Sequence, residues 1–353
     1  MKAKERVLNL INRKPVDRTP CDIWLSDRAN EKFCQELSVK PDNLRLLLDN
    51  HLVIVAALDN HKTWEDDASL RRAVEAGVIN LEQGRKVIYD SWGVGWDTAH
   101  EGIYEVFHPI FERSALSGVR VPDLRVPHLF DPVDEAVRAL GDEYCVVGCQ
   151  DLTLFERACA LRGFEQFLLD MKEDPAWAGG LLDVIADHEV ERAAQLVARG
   201  IDLGFTGGDY GTQQSLIMSV DDWLEFEAPR LRRIWDVYKR AGVPIMHHSC
   251  GNIIALIPHL IAMGVDVLNP IQHVMDPAIL RRDFGEHLVF FGGVDSQGLM
   301  RAGQPGGVRA EVSRYIEAFR GGRGYIAAPD QCLMSDVPLA NVLAFVAEVK
   351  EKG

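Results

Sequence analysis

The stretch Ile245-Met-His-His-Ser-Cys-Gly-Asn252 joins a short apolar run to a polar cluster that is interrupted by glycine. This order is typical of a buried strand that runs into a functional loop. Side chains two residues apart on an extended chain face the same side, so His248 and Cys250 are expected to point together. An imidazole and a thiolate in that arrangement are suitable zinc ligands. The stretch therefore predicts a strand with two metal ligands at its carboxyl end.

A similar pattern recurs from about residue 133 to the end of the chain. Short apolar runs alternate with longer amphipathic stretches, which indicates a mostly parallel sheet covered by helices. The predicted strands span residues 144–149, 203–206, 244–247, 265–268, 288–291 and 325–328. The predicted helices span residues 133–140, 155–171, 177–199, 221–240, 253–263, 277–284, 306–319 and 340–350.

Each predicted strand ends in a polar or glycine-rich turn. In a closed barrel all of these turns surround one pocket at the C-terminal face, whereas in an open doubly wound sheet they line a crevice. Seven or eight such units fit the 353 residues, and no glycine-rich dinucleotide fingerprint follows the first strand. We therefore predict an α/β fold with a single (β/α)8 TIM barrel that spans residues 1–353.

The first part of the chain is less regular. Residues 1–13 and 29–37 are predicted helices, 21–25 a short strand, and 44–58 a helix followed by a strand. Residues 65–84 are polar, and Val87-Ile-Tyr-Asp-Ser-Trp-Gly-Val-Gly-Trp-Asp97 is typical of a β-hairpin. We expect an N-terminal helical and hairpin excursion outside the barrel. Two roles stay open for its segment 59–84, a cover over the pocket and a homodimer contact.

Composition narrows the class of protein. Apolar residues make up 47% and charged residues 26%, with a net charge of -15. No run of about 18 apolar residues is present, and the N-terminal stretch lacks the apolar centre of a signal peptide. Because no basic run stands out, we expect neither nucleic acid nor a membrane surface as a partner. By default, the chain is predicted to be cytoplasmic.

Cysteine spacing argues against a disulfide framework, because the number is odd and the intervals are irregular. Cys145 and Cys149 fall in a predicted core strand and are expected to be buried. The seven cysteines are at positions 21, 34, 145, 149, 159, 250 and 332.

Cys332 is the candidate for a third metal ligand. It lies in Ala327-Ala-Pro-Asp-Gln-Cys332, just past the last predicted strand. In a barrel its loop opens on the same face as that of His248. Three protein ligands and one open position are the composition of a catalytic zinc site. The alternative is that Cys250 and Cys332 are incidental loop thiols, and His273 is an alternative ligand or a substrate contact.

Other strand-end residues suit catalysis or substrate binding. Asp209 and Tyr210 lie between glycines, where a carboxylate and a phenol can orient a substrate or act as general acid and base. The alternative for Asp209 is a turn that its own side chain stabilises. Asn269, Gln272 and Asp295 occupy equivalent turns and are predicted to bind substrate.

Two aromatic residues of the hairpin are candidates for the wall of a substrate pocket. They are Trp92 and Trp96, which flank two glycines. Core packing is the alternative use for at least one of these large rings.

Several motifs together resemble the uroporphyrinogen decarboxylase superfamily. The resemblance covers nearly the whole chain, although residues 41–128 match only loosely, and it implies a single (β/α)8 barrel. The motifs are Asn12-Arg-Lys-Pro-Val-Asp-Arg-Thr-Pro20, His248-Ser-Cys-Gly-Asn252, Gly264-Val-Asp-Val-Leu-Asn-Pro-Ile-Gln272, Phe291-Gly-Gly-Val-Asp295 and Gly324-Tyr-Ile-Ala-Ala-Pro329 followed by Asp336-Val-Pro338.

Two branches of this superfamily differ in their motifs. The decarboxylases carry Arg-Gln-Ala-Gly-Arg soon after the first strand, where this chain has only Arg28. The corrinoid-linked methyltransferases carry His-x-Cys and a later Cys as zinc ligands, and His248, Cys250 and Cys332 resemble that set. The resemblance implies a zinc-dependent methyltransferase that moves a methyl group between cobalamin and a small methoxylated compound or a thiol acceptor.

The cobalamin is expected on a separate corrinoid protein, because the chain lacks an Asp-x-His-x-x-Gly motif. A related barrel, cobalamin-independent methionine synthase, adds a glutamate ligand where this chain has Asn269-Pro-Ile-Gln272, so the fourth ligand stays open. Two alternatives are a metal-free decarboxylase and a non-catalytic barrel that binds a tetrapyrrole or another ligand.

Overall fold

The computed structural model describes residues 1–58, 80–81, 87–97, 101–102, 104–113 and 115–353. In chain order, the strands are β1 (Leu52–Val55), β2 (Asn80–Leu81), β3 (Val87–Tyr89), β4 (Gly95–Asp97), β5 (Tyr104–Phe107), β6 (Cys145–Gln150), β7 (Leu203–Gly207), β8 (Ile245–His248), β9 (Val267–Ile271), β10 (Val289–Val294) and β11 (Tyr325–Pro329).

The helices that the described residues form lie mostly around these strands. They are α1 (Ala3–Ile11), α2 (Asp27–Leu37), α3 (Pro41–Leu48), α4 (Asp131–Leu140), α5 (Phe155–Arg162), α6 (Phe164–Glu173), α7 (Pro175–Ala198), α8 (Val220–Phe226), α9 (Ala228–Arg240), α10 (Ile257–Met263), α11 (Pro277–Phe284), α12 (Leu299–Ala302), α13 (Pro305–Ala318) and α14 (Leu339–Lys352), with short 3-10 turns at Leu116–Gly118 and Ile254–Leu256.

Seven parallel strands form the central sheet, in the order β1, β6, β7, β8, β9, β10 and β11. Neighbours in the sheet are also successive barrel strands in the chain, which requires a crossover between each pair. The connections from β6 onward are helical, so helices cover the outer face of the sheet. This arrangement confirms the predicted TIM-barrel class.

The segment from Cys21 to Leu25 occupies the eighth position, between the two ends of the sheet. It forms parallel bridges from Cys21 to Ala327 and from Leu25 to Leu333. On its other side, the Cys21 carbonyl accepts a hydrogen bond of 3.0 Å from the His51 N–H, next to β1. The short strand predicted at 21–25 is thus present as two isolated bridges.

Alternating residues of the strands fill the barrel interior. Cys145, Val147 and Cys149 of β6 belong to the inner cluster, whereas Val146 packs in the outer layer against the helices. Both layers are buried, which is why these strands appear in the sequence as continuous apolar runs. Helix α1 packs its apolar side chains onto the same inner cluster. The prediction that Cys145 and Cys149 are buried is confirmed.

Two helices predicted as continuous are each broken in two, so those predictions were wrong in this respect. The first breaks at Gly163, which adopts a φ of +92° between α5 and α6. Such a φ is accessible to glycine but costs energy for other residues. The second breaks at Glu227, between α8 and α9, where Pro229 in the first turn of α9 cannot donate to the preceding turn.

The excursion between β1 and β6 contains an antiparallel sheet in the order β2, β3, β4 and β5. The predicted hairpin at 87–97 corresponds to β3 and β4, which pair with Ile88 opposite Trp96. The segment 59–84 lies outside the described residues except for 80–81. Among the helices that are described, none combines the length and apolar character needed to cross a bilayer.

Candidate metal centre

Two candidate zinc ligands converge at the carboxyl end of β8. His248 is the last residue of the strand, and Cys250 follows two positions later. The Cys250 Sγ lies 3.5 Å from His248 Nε2. Both side chains are half-buried, so they remain accessible from the barrel mouth. The structure thus brings together the two residues whose spacing predicts a shared direction.

Asp209 joins this pair because of the register between β7 and β8. Gly207 pairs with His248, so the residues two positions further on, Asp209 and Cys250, also lie side by side. Asp209 Oδ1 accepts a 2.8 Å hydrogen bond from the Cys250 N–H and lies 3.5 Å from His248 Nε2. The three possible ligand atoms all lie within 4.8 Å of one another. Nitrogen, sulfur and carboxylate oxygen are the donors that zinc takes, so this group fits the ion.

Burial and hydrogen bonds within the group shift the pKa values of its members. Burial raises the pKa of the Cys250 thiol to about 11. Burial opposes ionisation of Asp209 as well, but hydrogen bonds with His248 and Cys250 outweigh it and lower the pKa of Asp209 to about 2. A metal ion stabilises the thiolate form of a coordinating cysteine, which offsets the cost of burying that thiolate.

Asn269 orients the imidazole of His248. Register places it opposite His248 on β9, and its Oδ1 lies 2.7 Å from His248 Nδ1. Because an amide oxygen only accepts, Nδ1 carries a hydrogen, and Nε2 is the ring atom that faces Cys250 and Asp209. Metal-bound histidines commonly donate their second N–H in this way. Asn269 was predicted to bind substrate, and its observed contact is with the candidate ligand.

The loop after the strand is held by its neighbours. The Gln272 side-chain oxygen accepts a hydrogen bond from the Gly251 N–H, and Gln331 Nε2 donates to Cys250 Sγ at 2.7 Å. Gly251 has a φ of +82° and packs directly on the backbone of Gly211. A Cβ at Gly211 would lie 2.7 Å from the Cys250 carbonyl oxygen, so these two loops tolerate no added atom at their contact.

Cys332 does not belong to the group of three. Burial raises the pKa of its thiol, and the carboxylates of Asp27 and Glu101 raise it further. The preceding residue, Gln331, nevertheless reaches Cys250. The loop that carries Cys332 therefore lies beside the candidate centre, and the role of Cys332 as a ligand stays a prediction.

Three other predicted site residues are buried, with exposures of 0% for Tyr210, 1% for Trp92 and 2% for Trp96. The Tyr210 hydroxyl donates to Glu227 Oε2 at 2.9 Å, and Trp96 Nε1 donates to an Asp90 carboxylate oxygen at 3.0 Å. These contacts direct the polar ends of both side chains into the core. Their predicted roles in catalysis and substrate binding stay predictions.

A second polar group lies at the carboxyl ends of β9, β10 and β11. His273 Nδ1 is 2.9 Å from Asp330 Oδ2 and 3.8 Å from Asp295 Oδ1. Asp330 is 1% exposed, and its other oxygen accepts from the Ser296 N–H at 2.9 Å. Asp295, a predicted substrate contact, also accepts from the backbone that leads into α12. Asp330 was not identified from the sequence, because an aspartate after proline is typical of an ordinary turn.

The comparisons with known proteins agree with this architecture. The model of the family described as Uroporphyrinogen decarboxylase (URO-D) matches residues 79–352, and the chain belongs to that family. A methyltransferase from Methanosarcina mazei shares the fold with a TM-score of 0.70, 18% identity and 99% coverage of each chain. A B12-independent methionine synthase from Shewanella sp. W3-18-1, solved in complex with selenomethionine, has a TM-score of 0.50, 12% identity and 95% coverage of each chain. No curated protein matches the chain.

Glu227 is a buried acid that sequence reasoning missed, because a glutamate within a helical pattern is usually exposed. It is 0% exposed, and burial raises its pKa from 4.5 to about 7 although the Tyr210 hydroxyl opposes the shift. The folded chain therefore binds this proton more tightly than the unfolded chain. The contribution of the protonated Glu227 carboxyl to the free energy of unfolding is fully present below pH 4.5 and is lost as the pH rises through 7.

We expect the Glu227→Gln variant to match the wild type at pH 4 and to be more stable at pH 8, by up to about 3 kcal/mol. Glutamine keeps an oxygen that accepts from Tyr210 but carries no charge at either pH. Urea unfolding of both proteins at the two pH values measures the difference. An equal difference at pH 4 and pH 8 would contradict the raised pKa of Glu227.

Proposed function

We propose that this chain is a zinc-dependent methyltransferase of a corrinoid system. A methyl group passes between the cobalamin of a separate corrinoid protein and a small substrate, which is a methoxylated compound or a thiol acceptor. The observation that carries the proposal is the convergence of His248 Nε2, Cys250 Sγ and Asp209 Oδ1 at the carboxyl ends of β7 and β8. Family membership and the fold shared with a methyltransferase support it.

His248 and Cys250 are the zinc ligands in this proposal, and Asp209 and Cys332 are the candidates for further ligands. Bound zinc supplies Lewis-acid activation of a sulfur or oxygen atom of the substrate. Asn269 fixes the ring of His248, while Gln331 donates a hydrogen bond to the sulfur of Cys250. The number of sulfur ligands, from X-ray absorption at the zinc edge, distinguishes the sets. Two sulfurs place Cys332 among the ligands, and one excludes it.

A metal-free decarboxylase is disfavoured by the charges at the barrel mouth. Acidic substrates require cationic side chains for recognition. In the described part of the mouth, the strand ends instead carry the carboxylates of Asp209, Asp295 and Asp330. These groups would repel a substrate that bears several carboxylates, which disfavours the decarboxylase alternative.

Free methylcobalamin and free cob(I)alamin provide a direct test, because the absorbance of cobalamin reports on loss or gain of the methyl group. With a thiol acceptor, the sulfur gains the methyl, the cobalt keeps the electron pair as cob(I)alamin and one proton is released. With a methoxylated donor, cob(I)alamin gains the methyl and an alkoxide or phenoxide leaves.

We expect the zinc-loaded chain to accelerate at least one of these directions over the zinc-free chain. 2-Mercaptoethanesulfonate, cysteamine, 2-methoxyphenol and 2-methoxyphenethylamine serve as probes, so that acceptors and donors are covered with and without an ammonium group. No acceleration in either direction, with about one zinc bound per chain, would overturn the proposal.

A further inference from the structure

A cavity of about 410 Å³ opens beside the candidate metal centre. Asp209 forms part of its wall and of the metal centre, so the two are adjacent. This volume lies within the range of small-molecule sites. The described residues that line it are Glu105, His108, Phe155, Glu156, Cys159, Phe164, Asp209 and Ile217.

The cavity is strongly acidic. Its described lining contains three carboxylates, those of Glu105, Glu156 and Asp209, and neither lysine nor arginine. Another carboxylate lies close by, because a Cβ placed on Gly207 would be 3.2 Å from Asp151 Oδ1 and 3.4 Å from Glu156 Oε2.

The basic residues nearest in sequence are engaged elsewhere. Arg157 follows Glu156 directly, but its guanidinium donates to Asp90 at 2.7 Å and is buried. Arg162, at the end of the same helix, pairs with Asp170 at 2.7 Å. Neither of these two guanidinium groups lines the cavity.

The thiol of Cys159 lies in the electric field of the same carboxylates. Burial raises the pKa of this thiol, and Glu156, Glu227 and Glu105 each raise it further. The same surroundings favour a positively charged ligand.

The remaining walls are aromatic and aliphatic. Phe155 and Phe164 meet edge to face with ring centroids 6.1 Å apart, and Ile217 also contributes to the lining. The faces of aromatic rings carry partial negative charge and attract organic cations. Carboxylates combined with such rings are therefore suited to an alkylated ammonium group.

A bare metal ion fits this space less well. Among the described residues, Glu105, Glu156 and Asp209 do not form a group of three whose oxygens lie within 4.8 Å of one another. A single metal ion therefore cannot contact all three carboxylates. An ammonium group with alkyl substituents is larger, so it can span the cavity and also contact the aromatic rings.

We propose that this cavity binds a small organic cation, a protonated or quaternary ammonium, with its charge near Glu156 and its alkyl groups against Phe155 and Phe164. The inference rests on the proposed methyltransferase function in one respect, because it identifies this cation as part of the substrate. The substrate class is then an ammonium-bearing methyl donor or thiol acceptor, whose reacting atom extends past Asp209 to the metal centre.

Choline and its uncharged isostere 3,3-dimethylbutan-1-ol are the probes. The two molecules have the same shape, so calorimetric titration of the zinc-loaded chain with each isolates the effect of charge. We expect choline to bind at least about 10-fold more tightly than the alcohol, which corresponds to about 1.4 kcal/mol. Equal affinities, or no binding of choline, would overturn the inference.

Glu156→Gln tests the assigned carboxylate with little change in volume. Choline affinity should fall by about 10-fold or more, while affinity for the alcohol stays the same. Glu165→Gln is the matched control, because Glu165 is exposed on α6 and does not line the cavity. Equal choline binding by Glu156→Gln and wild type would contradict the assignment of Glu156.

Zinc content and methyl transfer are measured on the same preparations. If the chain binds choline more tightly than the alcohol but neither holds zinc nor transfers a methyl group, the proposed function and its substrate assignment are contradicted. The cavity would then be a cation site of another function. Zinc-dependent methyl transfer without choline selectivity would remove the cation inference alone.

Discussion

The Cys250→Ser variant is expected to lose both bound zinc and methyl transfer. Serine preserves the size of the side chain but replaces a thiolate donor with a hydroxyl that is rarely ionised. Substitution of outer residues that only orient a metal ligand typically costs about 10- to 100-fold in affinity or activity. Loss of a ligand itself should therefore exceed about 100-fold. Zinc per chain after gel filtration and the rate of cobalamin demethylation measure the two losses.

Cys34→Ser is the control for that experiment. Cys34 lies on α2, where its Sγ is 3.5 Å from Asn30 Oδ1, and it is also half-buried. It takes no part in the group around His248, so zinc content and rate should match the wild type. Full methyl transfer by Cys250→Ser would contradict the assigned role of its sulfur.

Gly251→Ala is expected to have the second-largest effect, although it removes no ligand. A Cβ at this position would overlap the backbone of Gly211, and the φ of +82° is unfavourable for alanine. The loop that follows Cys250 must then move away from the loop of Asp209. We expect zinc affinity to fall more than about 10-fold, because the ligand atoms lose their fixed separation. Competition with a colourimetric zinc chelator measures the affinity.

Gly242→Ala separates backbone strain from the steric overlap. Gly242 has a comparable φ of +71°, but a Cβ there would meet nothing within 4 Å. This variant should lose about 1 to 2 kcal/mol of stability and keep its zinc affinity. Similar zinc affinities for Gly251→Ala and Gly242→Ala would show that the packing of the two loops does not position the ligands.

The barrel could be predicted from the sequence because each parallel strand is buried on both faces and appears as a short apolar run before a polar turn. The two helix breaks were not predicted. The amphipathic pattern continues through Gly163 and Glu227, and it masks the local signals of Gly163 and Pro229, at which the chain turns. The eighth position, at Cys21 to Leu25, depends on bridges to Ala327 and Leu333, which are distant in sequence.

The candidate site also combines features that local sequence predicts with features that depend on tertiary structure. The convergence of His248 and Cys250 follows from strand geometry alone, which is local and could be predicted. The position of Asp209 beside them depends on the register of β7 against β8, which no local pattern specifies. The burial of the Tyr210 hydroxyl against Glu227 depends on tertiary packing and could not be predicted for the same reason.

One acidic side chain at the barrel mouth borders both the candidate metal centre and the proposed cation cavity. Asp209 contacts both His248 and the cavity that we assign to a cation. A single carboxylate thus adjoins the candidate zinc ligands and the proposed substrate cavity, and it adds negative charge to both. This arrangement agrees with a substrate that brings positive charge to the centre and disagrees with a polycarboxylate.

The proposed metal centre is best tested by the zinc content of the wild-type chain, purified without chelators, then supplied with zinc and freed of excess by gel filtration. We expect about one tightly held zinc per chain, as for a single mononuclear catalytic site. A chain that retains no zinc under these conditions would contradict the proposed centre at His248 and Cys250, and with it the methyltransferase function.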